Sequence, residues 1–236
     1  MKTLFFLLLS LPCLSQDNTP FALGTPTHTD SLLRLNKASF AVLYSHALNE
    51  PRLTAWHLVA SDIGTADRFS GFFAPELGLP RGWFVVHHQD YAGTGYDQGH
   101  LCPNADRNTT LASDKATFIL SNALPQHPKL NRVVWLALED WARKQVEKGK
   151  EAYIMAGGID SLSVLPGMPV VVPGWCWKLI VLLPEGTGDA GRIGTARVLA
   201  VIMPNDATAP DHRWPEYTVS LARLEARTGL VFGWLH

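Results

Sequence analysis

The chain has 236 residues, 20 of them basic and 21 acidic, with 47% hydrophobic and 17% charged residues. That composition excludes a disordered chain, and the length favours one domain. The near-neutral balance excludes a uniformly basic nucleic-acid binder, although it leaves room for one positive face.

The N-terminus reads as a leader. Met1-Lys2-Thr3 is a short positive start, Leu4 to Leu11 is a predominantly apolar run too short to span a bilayer, and small residues at Cys13 and Ser15 suit cleavage before Gln16. Residues 1–15 are therefore expected to be a signal peptide, which makes the protein secreted or periplasmic. The alternative, a lipid-anchored Cys13, is disfavoured by Pro12 directly before it. No other apolar run approaches the length of a membrane span. Without the leader the balance is about −2, unevenly distributed: residues 107–150 carry eight basic and four acidic side chains. Cys102 and Cys176 remain, each in an apolar context, as two buried thiols or one disulfide.

Residues 16–35, polar with Pro20 and Pro26, read as an N-terminal tail to a domain over 36–236. Phe40 to Leu48 and Leu53 to Ala60 read as two strands joined at Asn49-Glu50-Pro51-Arg52. Residues 61–95 form a long glycine-rich loop, of the kind that is usually functional in a compact domain. Lys115 to Ser121 reads as a short extended segment. Over Pro128 to Gly149, apolar residues recur at three and four (Leu130, Val133, Val134, Ala137, Leu138, Trp141), which predicts the main helix. Strands follow at Glu151–Ala156, stopped by Gly157-Gly158, at 170–172, at Trp175–Leu183 and at Ala196–Met203. A short helix over Val219–Arg227 ends at Gly229, and Leu230–Leu235 reads as a last strand. The order predicts an α+β fold, with one sheet carrying the main helix and a catalytic loop on one face.

The candidate chemistry lies between Tyr96 and Arg143. His100 follows Gly99, and a neutral imidazole there suits a general base, although a lone histidine beside glycine is more often structural. Asn131, near the helix start, offers an amide oxygen suited to a hard ion such as Mg²⁺, which keeps most of its waters. Glu139 is eight residues on, about 12 Å along a regular helix and about 80° around it. The two cannot both bind one ion directly on a regular helix. Glu139 must act through water, or the helix must be irregular near Asn131. The plain alternative for Asn131, Trp135, Glu139 and Arg143 is a solvated helix face. Metal binding at His87-His88 is not expected, His127 reads as a surface residue, and Gly93-Thr94-Gly95 lacks the Lys-Ser/Thr of a phosphate loop.

Several ordered motifs change that weighting: G-Y-D-Q-G-H-L-C-P at 95–103, T-F-I-L-S-N-A-L-P-Q at 117–126, and L-N-R-V-V-W-L-A-L-E-D-W-A-R at 130–143. With A-W-H-L at 55–58, P-V-V-V-P-G-W-C-W-K at 169–178 and I-M-P-N at 202–205, the chain closely resembles the DNA/RNA non-specific endonucleases. These are ββα-metal (His-Me finger) nucleases and include endonuclease G. The resemblance implies a central mixed or antiparallel sheet and a Mg²⁺- or Mn²⁺-dependent endonuclease that hydrolyses phosphodiester bonds of DNA and RNA to 5′-phosphate products. It further implies His100 as general base, Asn131 as the direct metal ligand and Glu139 as a ligand through water. Asn122 would help place the histidine or a water at the metal site, Asp97 would be a supporting residue, and Arg143 and Arg68 would contact phosphate. One position departs from the family pattern: Gln98 stands where these nucleases usually carry arginine. The resemblance therefore leaves open a catalytically weakened nucleic-acid-binding protein, or a retained activity in which another arginine, such as Arg107, substitutes.

Overall fold

The computed structural model describes residues 19–236, so the expected signal peptide over 1–15 lies outside the described residues. Seven strands form one antiparallel sheet in the order β1-β2-β3-β6-β7-β8-β9: β1 (Leu32–Asn36), β2 (Ala41–Ser45), β3 (Glu50–Leu58), β6 (Lys150–Val164), β7 (Val171–Pro184), β8 (Arg197–Pro204) and β9 (Thr218–Val219). A second, two-stranded sheet pairs β4 (Asp97–His100) with β5 (Ala123–Gln126), antiparallel.

Alternation along the central strands buries both faces. Trp56, Leu58, Ile154, Ile180 and Leu182 point to one side, where they meet Leu130, Val134, Trp135, Leu138 and Ala142 of the main helix. Leu53, Ala55, Tyr153, Met155, Leu179 and Val181 point to the other, where Leu224 of the C-terminal helix (Leu221–Thr228) and Phe232 cover them. This two-sided burial is why β7 reads in sequence as an almost continuous apolar run. A third cluster, with Phe73, Val86, Phe118 and Leu120, packs the long loop against the ββα region.

Four local expectations need correction. The stretch expected as a polar tail contributes β1, and Phe21 and Leu23 are buried in the second core; alternate apolar residues in L-L-R-L-N suffice for an edge strand. Gly157-Gly158 does not end a strand: β6 continues to Val164. A Cβ on Gly157 would stand 2.3 Å from the Arg52 carbonyl, so glycine there permits close strand approach. Lys115–Ser121 is not extended throughout, because Thr110 caps a short helix, α1 (Leu111–Ala116), by accepting from the Ser113 amide. Leu230–Leu235 is no strand. Val231 makes a single bridge to Thr27, and the chain then closes in a short helical turn. The β2–β3 hairpin forms as expected, but its turn comes earlier, over 46–49, with Asn49 at φ 52°.

Candidate active site

The strands β4 and β5 and the helix after them form a ββα unit. His100 closes β4 opposite Ala123, and the chain leaves β5 directly into the helix that starts at Pro128. A Cβ on Gly99 would lie 2.0 Å from Gln126 Oε1, so a side chain there would have to displace the buried Gln126 amide.

The helix is not regular. Residues Leu130–Trp135 wind as a π-helix before the α-helical segment α2 (Leu136–Val146). A π turn holds more residues than an α turn, so it advances less in angle per residue. That irregularity brings Asn131 and Glu139 onto one wall. Both line a cavity of about 290 Å³ together with Arg68, Gln98, His100, Asn104, Arg132, Leu136 and Arg143.

His100 is held by backbone and rings. Its carbonyl accepts the Trp135 indole N–H at 3.3 Å, and its ring lies against Phe73 and Phe118, with centroids at 4.5 and 4.7 Å. Nε2 sits 3.5 Å from the Thr117 hydroxyl, which leaves Nδ1 as the ring nitrogen without a hydrogen-bond partner among the described residues. Burial, reinforced by the nearby Arg68 guanidinium, pushes the imidazole pKa down to about 3. The ring is therefore neutral and able to accept a proton across the ordinary pH range.

Asn131 donates from Nδ2 to Asp97 Oδ2 at 2.9 Å, and Asp97 is itself held by the Arg132 guanidinium at 2.6 and 2.8 Å. This pair fixes the amide so that its Oδ1, which accepts no hydrogen bond among the described residues, remains for another partner. Those hydrogen bonds outweigh desolvation and keep the Asp97 carboxyl below the usual range. Glu139 is buried and accepts from Lys178 Nζ at 3.2 Å through Oε1. Burial pushes its pKa up, opposed by the Lys178 charge. One fixed amide oxygen and one carboxylate are hard donors that fit an oxygen-seeking divalent cation.

Three arginines frame the same cavity. Arg143 is anchored by Asp106 at 2.8 Å and by Asp140; Arg68 donates to Asn104 Oδ1, and Asn104 in turn donates to Asp114; Arg132 is held by Asp97. Among the described residues each guanidinium keeps at least one nitrogen unpaired, as phosphate contact requires. Two expected participants lie elsewhere. Asn122 is fully buried and does not line the cavity. It accepts from the Cys102 amide at 3.0 Å and donates to the carbonyls of Cys102 and Thr117 at 2.9 and 3.0 Å, so it clamps the backbone after His100. Arg107 cannot stand in for the arginine absent at 98, because its fork is spent on Ser39, His57, Asp106 and Asp62. Gln98 does line the cavity and is bound to His88 twice, by Oε1 to Nδ1 at 2.9 Å and by Nε2 to the carbonyl at 3.0 Å. Asn104, Asp106, Arg132 and Lys178 complete the site without having been singled out in sequence. Lys178 carried a signal as the last residue of the motif at 169–178, and Arg132 as a member of the positive stretch 107–150. Cys102 and Cys176 are free, buried thiols.

Two other features compete for attention. A larger cavity, about 400 Å³, lies by Glu50 and Arg52, but it joins no histidine to a candidate metal ligand. His57, Glu151 and Asp189 bring ligand atoms within 4.8 Å of one another on the sheet face opposite the main helix. Their oxygens are already engaged, by His57 Nε2 at 3.0 Å, Arg192 and the Tyr153 hydroxyl, so the cluster is a closed ion-pair network.

Residues 16–234 match the family model described as DNA/RNA non-specific endonuclease. The chain belongs to that family. A nuclease of Nostoc sp. is 40% identical over 211 residues, which cover 89% of this chain and 76% of that protein. The mitochondrial nuclease EXOG of Xenopus laevis is 28% identical over 81% of this chain, and the match covers 56% of the Xenopus protein. A chain in the crystal structure of the EndoG/EndoGI complex shares the fold, with a TM-score of 0.75 and 22% identity over 91% of this chain and 89% of that one. Membership makes the protein a hydrolytic endonuclease of a metal-dependent family, on a ββα-metal fold whose main sheet is antiparallel throughout.

Proposed function

We propose that this endonuclease cleaves both DNA and RNA with His100 as general base and a single Mg²⁺, or Mn²⁺, held directly by Asn131 and through water by Glu139. The observation that carries this reading is the convergence of His100, Asn131, Glu139 and three arginines on one cavity. His100 Nδ1 takes the proton from the attacking water, and the low basicity set by burial keeps that nitrogen free. Arg143, Arg68 and Arg132 bind the phosphate oxygens and orient the group for in-line attack. When bound, the cation supplies charge stabilisation at the phosphate and the leaving 3′ oxygen, so that the products carry 5′ phosphate. Contacts confined to phosphate carry no base information, which supports action on both polymers. Asn122 acts at one remove, by fixing the turn that presents His100.

The same reading includes export to the periplasm or the exterior through residues 1–15. Several relatives carry mitochondrial names, and fusion of residues 1–15 to a reporter tests which compartment applies. The decisive experiment is cleavage of plasmid and RNA by residues 16–236 with Mg²⁺, with EDTA, and beside His100→Ala. Metal-dependent cleavage reduced about 10²- to 10⁴-fold in the variant is expected. Strand binding without turnover by the parent would replace this reading with that of the weakened binder, which the exchange at Gln98 motivates.

A further inference from the structure

An exposed aromatic side chain stands beside the catalytic cavity with no role in the chemistry above. Phe72 is 73% exposed, the largest exposure of any aromatic residue among the exposed hydrophobics. Its ring is nevertheless not loose. It rests on the His88 imidazole with centroids 4.2 Å apart and planes tilted by 33°. His88 is fixed in turn by its two hydrogen bonds to Gln98, a wall residue of the cavity. On the other side of the Phe72 backbone, Phe73 turns inward and packs on His100. A second, shallower cavity of about 260 Å³ shares Gln98 with the first and is lined by His88, Tyr91, Tyr96 and Asp97. An aromatic face thus stands open to solvent one side chain away from the Gln98 wall.

We propose that Phe72, backed by His88, is a stacking platform for a nucleobase next to the scissile phosphate. This rests on the nuclease reading. The ring face is sequence-tolerant, because every base offers a π surface, so such a platform adds affinity without selecting a sequence. It also assigns a use to the exchange at position 98. The glutamine amide accepts from the His88 ring at Nδ1 and donates to the His88 carbonyl, and so fixes the imidazole against Phe72, whereas an arginine has no acceptor for the ring N–H. Gln98 and His88 are positioning residues here, and Phe72 touches the substrate.

The test uses two single-stranded 12-mers of equal charge, one with bases and one built from abasic tetrahydrofuran units, and the variants Phe72→Ala and Phe72→Tyr. Kd is read by anisotropy in EDTA, and KM and kcat are read in Mg²⁺. Phe72→Ala is expected to weaken binding and raise KM for the base-bearing strand by about 5- to 100-fold, with kcat and the abasic strand nearly unchanged. Phe72→Tyr should restore wild-type behaviour. Equal losses on both strands, or no loss on either, overturns the platform. So does a change in sedimentation or elution volume without a change in strand affinity, since Phe72 would then be a protein contact. Binding in EDTA decides the platform even if the parent fails to cleave, and that failure counts against the nuclease reading alone.

Discussion

At the scale of single residues, the site depends on side chains that are immobilised by partners rather than by their own size. Asn131 is held by Asp97, Arg143 by Asp106, Glu139 by Lys178, and the backbone after His100 by Asn122. Replacing Asn122 with alanine removes three buried hydrogen bonds and leaves their backbone partners unsatisfied, at a cost of about 2 kcal/mol or more. Urea unfolding of Asn122→Ala should show that loss, and its cleavage rate should fall although no cavity atom has been removed. Gln98→Arg is expected to preserve or raise kcat on plasmid DNA, because it adds a guanidinium to a cavity that already holds three, while KM rises as the hold on His88 is lost. A collapse of activity in that variant would show that the Gln98–His88 pair itself is required. The sequence made His100, Asn131, Glu139 and Arg143 visible through their motifs, and the family resemblance alone pointed to Arg68 in the long loop. It could not show that Asn122 faces away from the cavity, because that depends on which backbone groups its amide meets after folding.

At the scale of elements, strand periodicity and glycine punctuation located the hairpin, the main helix and the long β7 run. They failed where tertiary contact overrides local signal. Gly157 looked like a stop and is an interior strand residue, because the Arg52 carbonyl occupies the space a side chain would need. The π-helical turn at Leu130–Trp135 had only an indirect trace: two candidate ligands eight residues apart are misaligned on a regular helix, and the irregular turn realigns them. Apolar spacing at three and four predicts a helix there but does not distinguish a π turn from an α turn.

At the scale of the whole molecule, two buried histidines couple stability to pH. Burial lowers His57 to about 4 and His100 to about 3, both from an ordinary value of 6.5. The unfolded chain takes up these protons as pH falls through 6.5, while the folded chain does not until near 4 and 3. Stability therefore rises with pH across that window and is fully present above about pH 6.5. The urea midpoint should fall steadily between pH 7 and pH 4, and His57→Gln should flatten part of that slope. Buried Glu50 and Glu139, raised by desolvation, oppose part of that slope, so the decisive comparison is with His57→Gln: an unchanged slope there would contradict neutral burial of that ring. Charge is read at this scale too. An almost neutral chain carries a positive excess on residues 107–150, and Arg132 and Arg143 from that stretch, with Arg68, frame the cavity.

The sheet order has a further meaning. β3 and β6 are neighbours, with Leu58 opposite Ala152, although about ninety residues separate them in the chain. Every cavity residue lies within that excursion, and Lys178, which steadies Glu139, reaches it from the sheet. The catalytic apparatus is thus an inserted cassette whose two ends meet on adjacent strands. Shortening it to a loop would also strip Leu130, Val134, Trp135 and Leu138 from one face of the sheet. The insertion that carries the chemistry is also the lid of the core. Chain swaps between relatives at these two ends would therefore exchange specificity and stability as one unit.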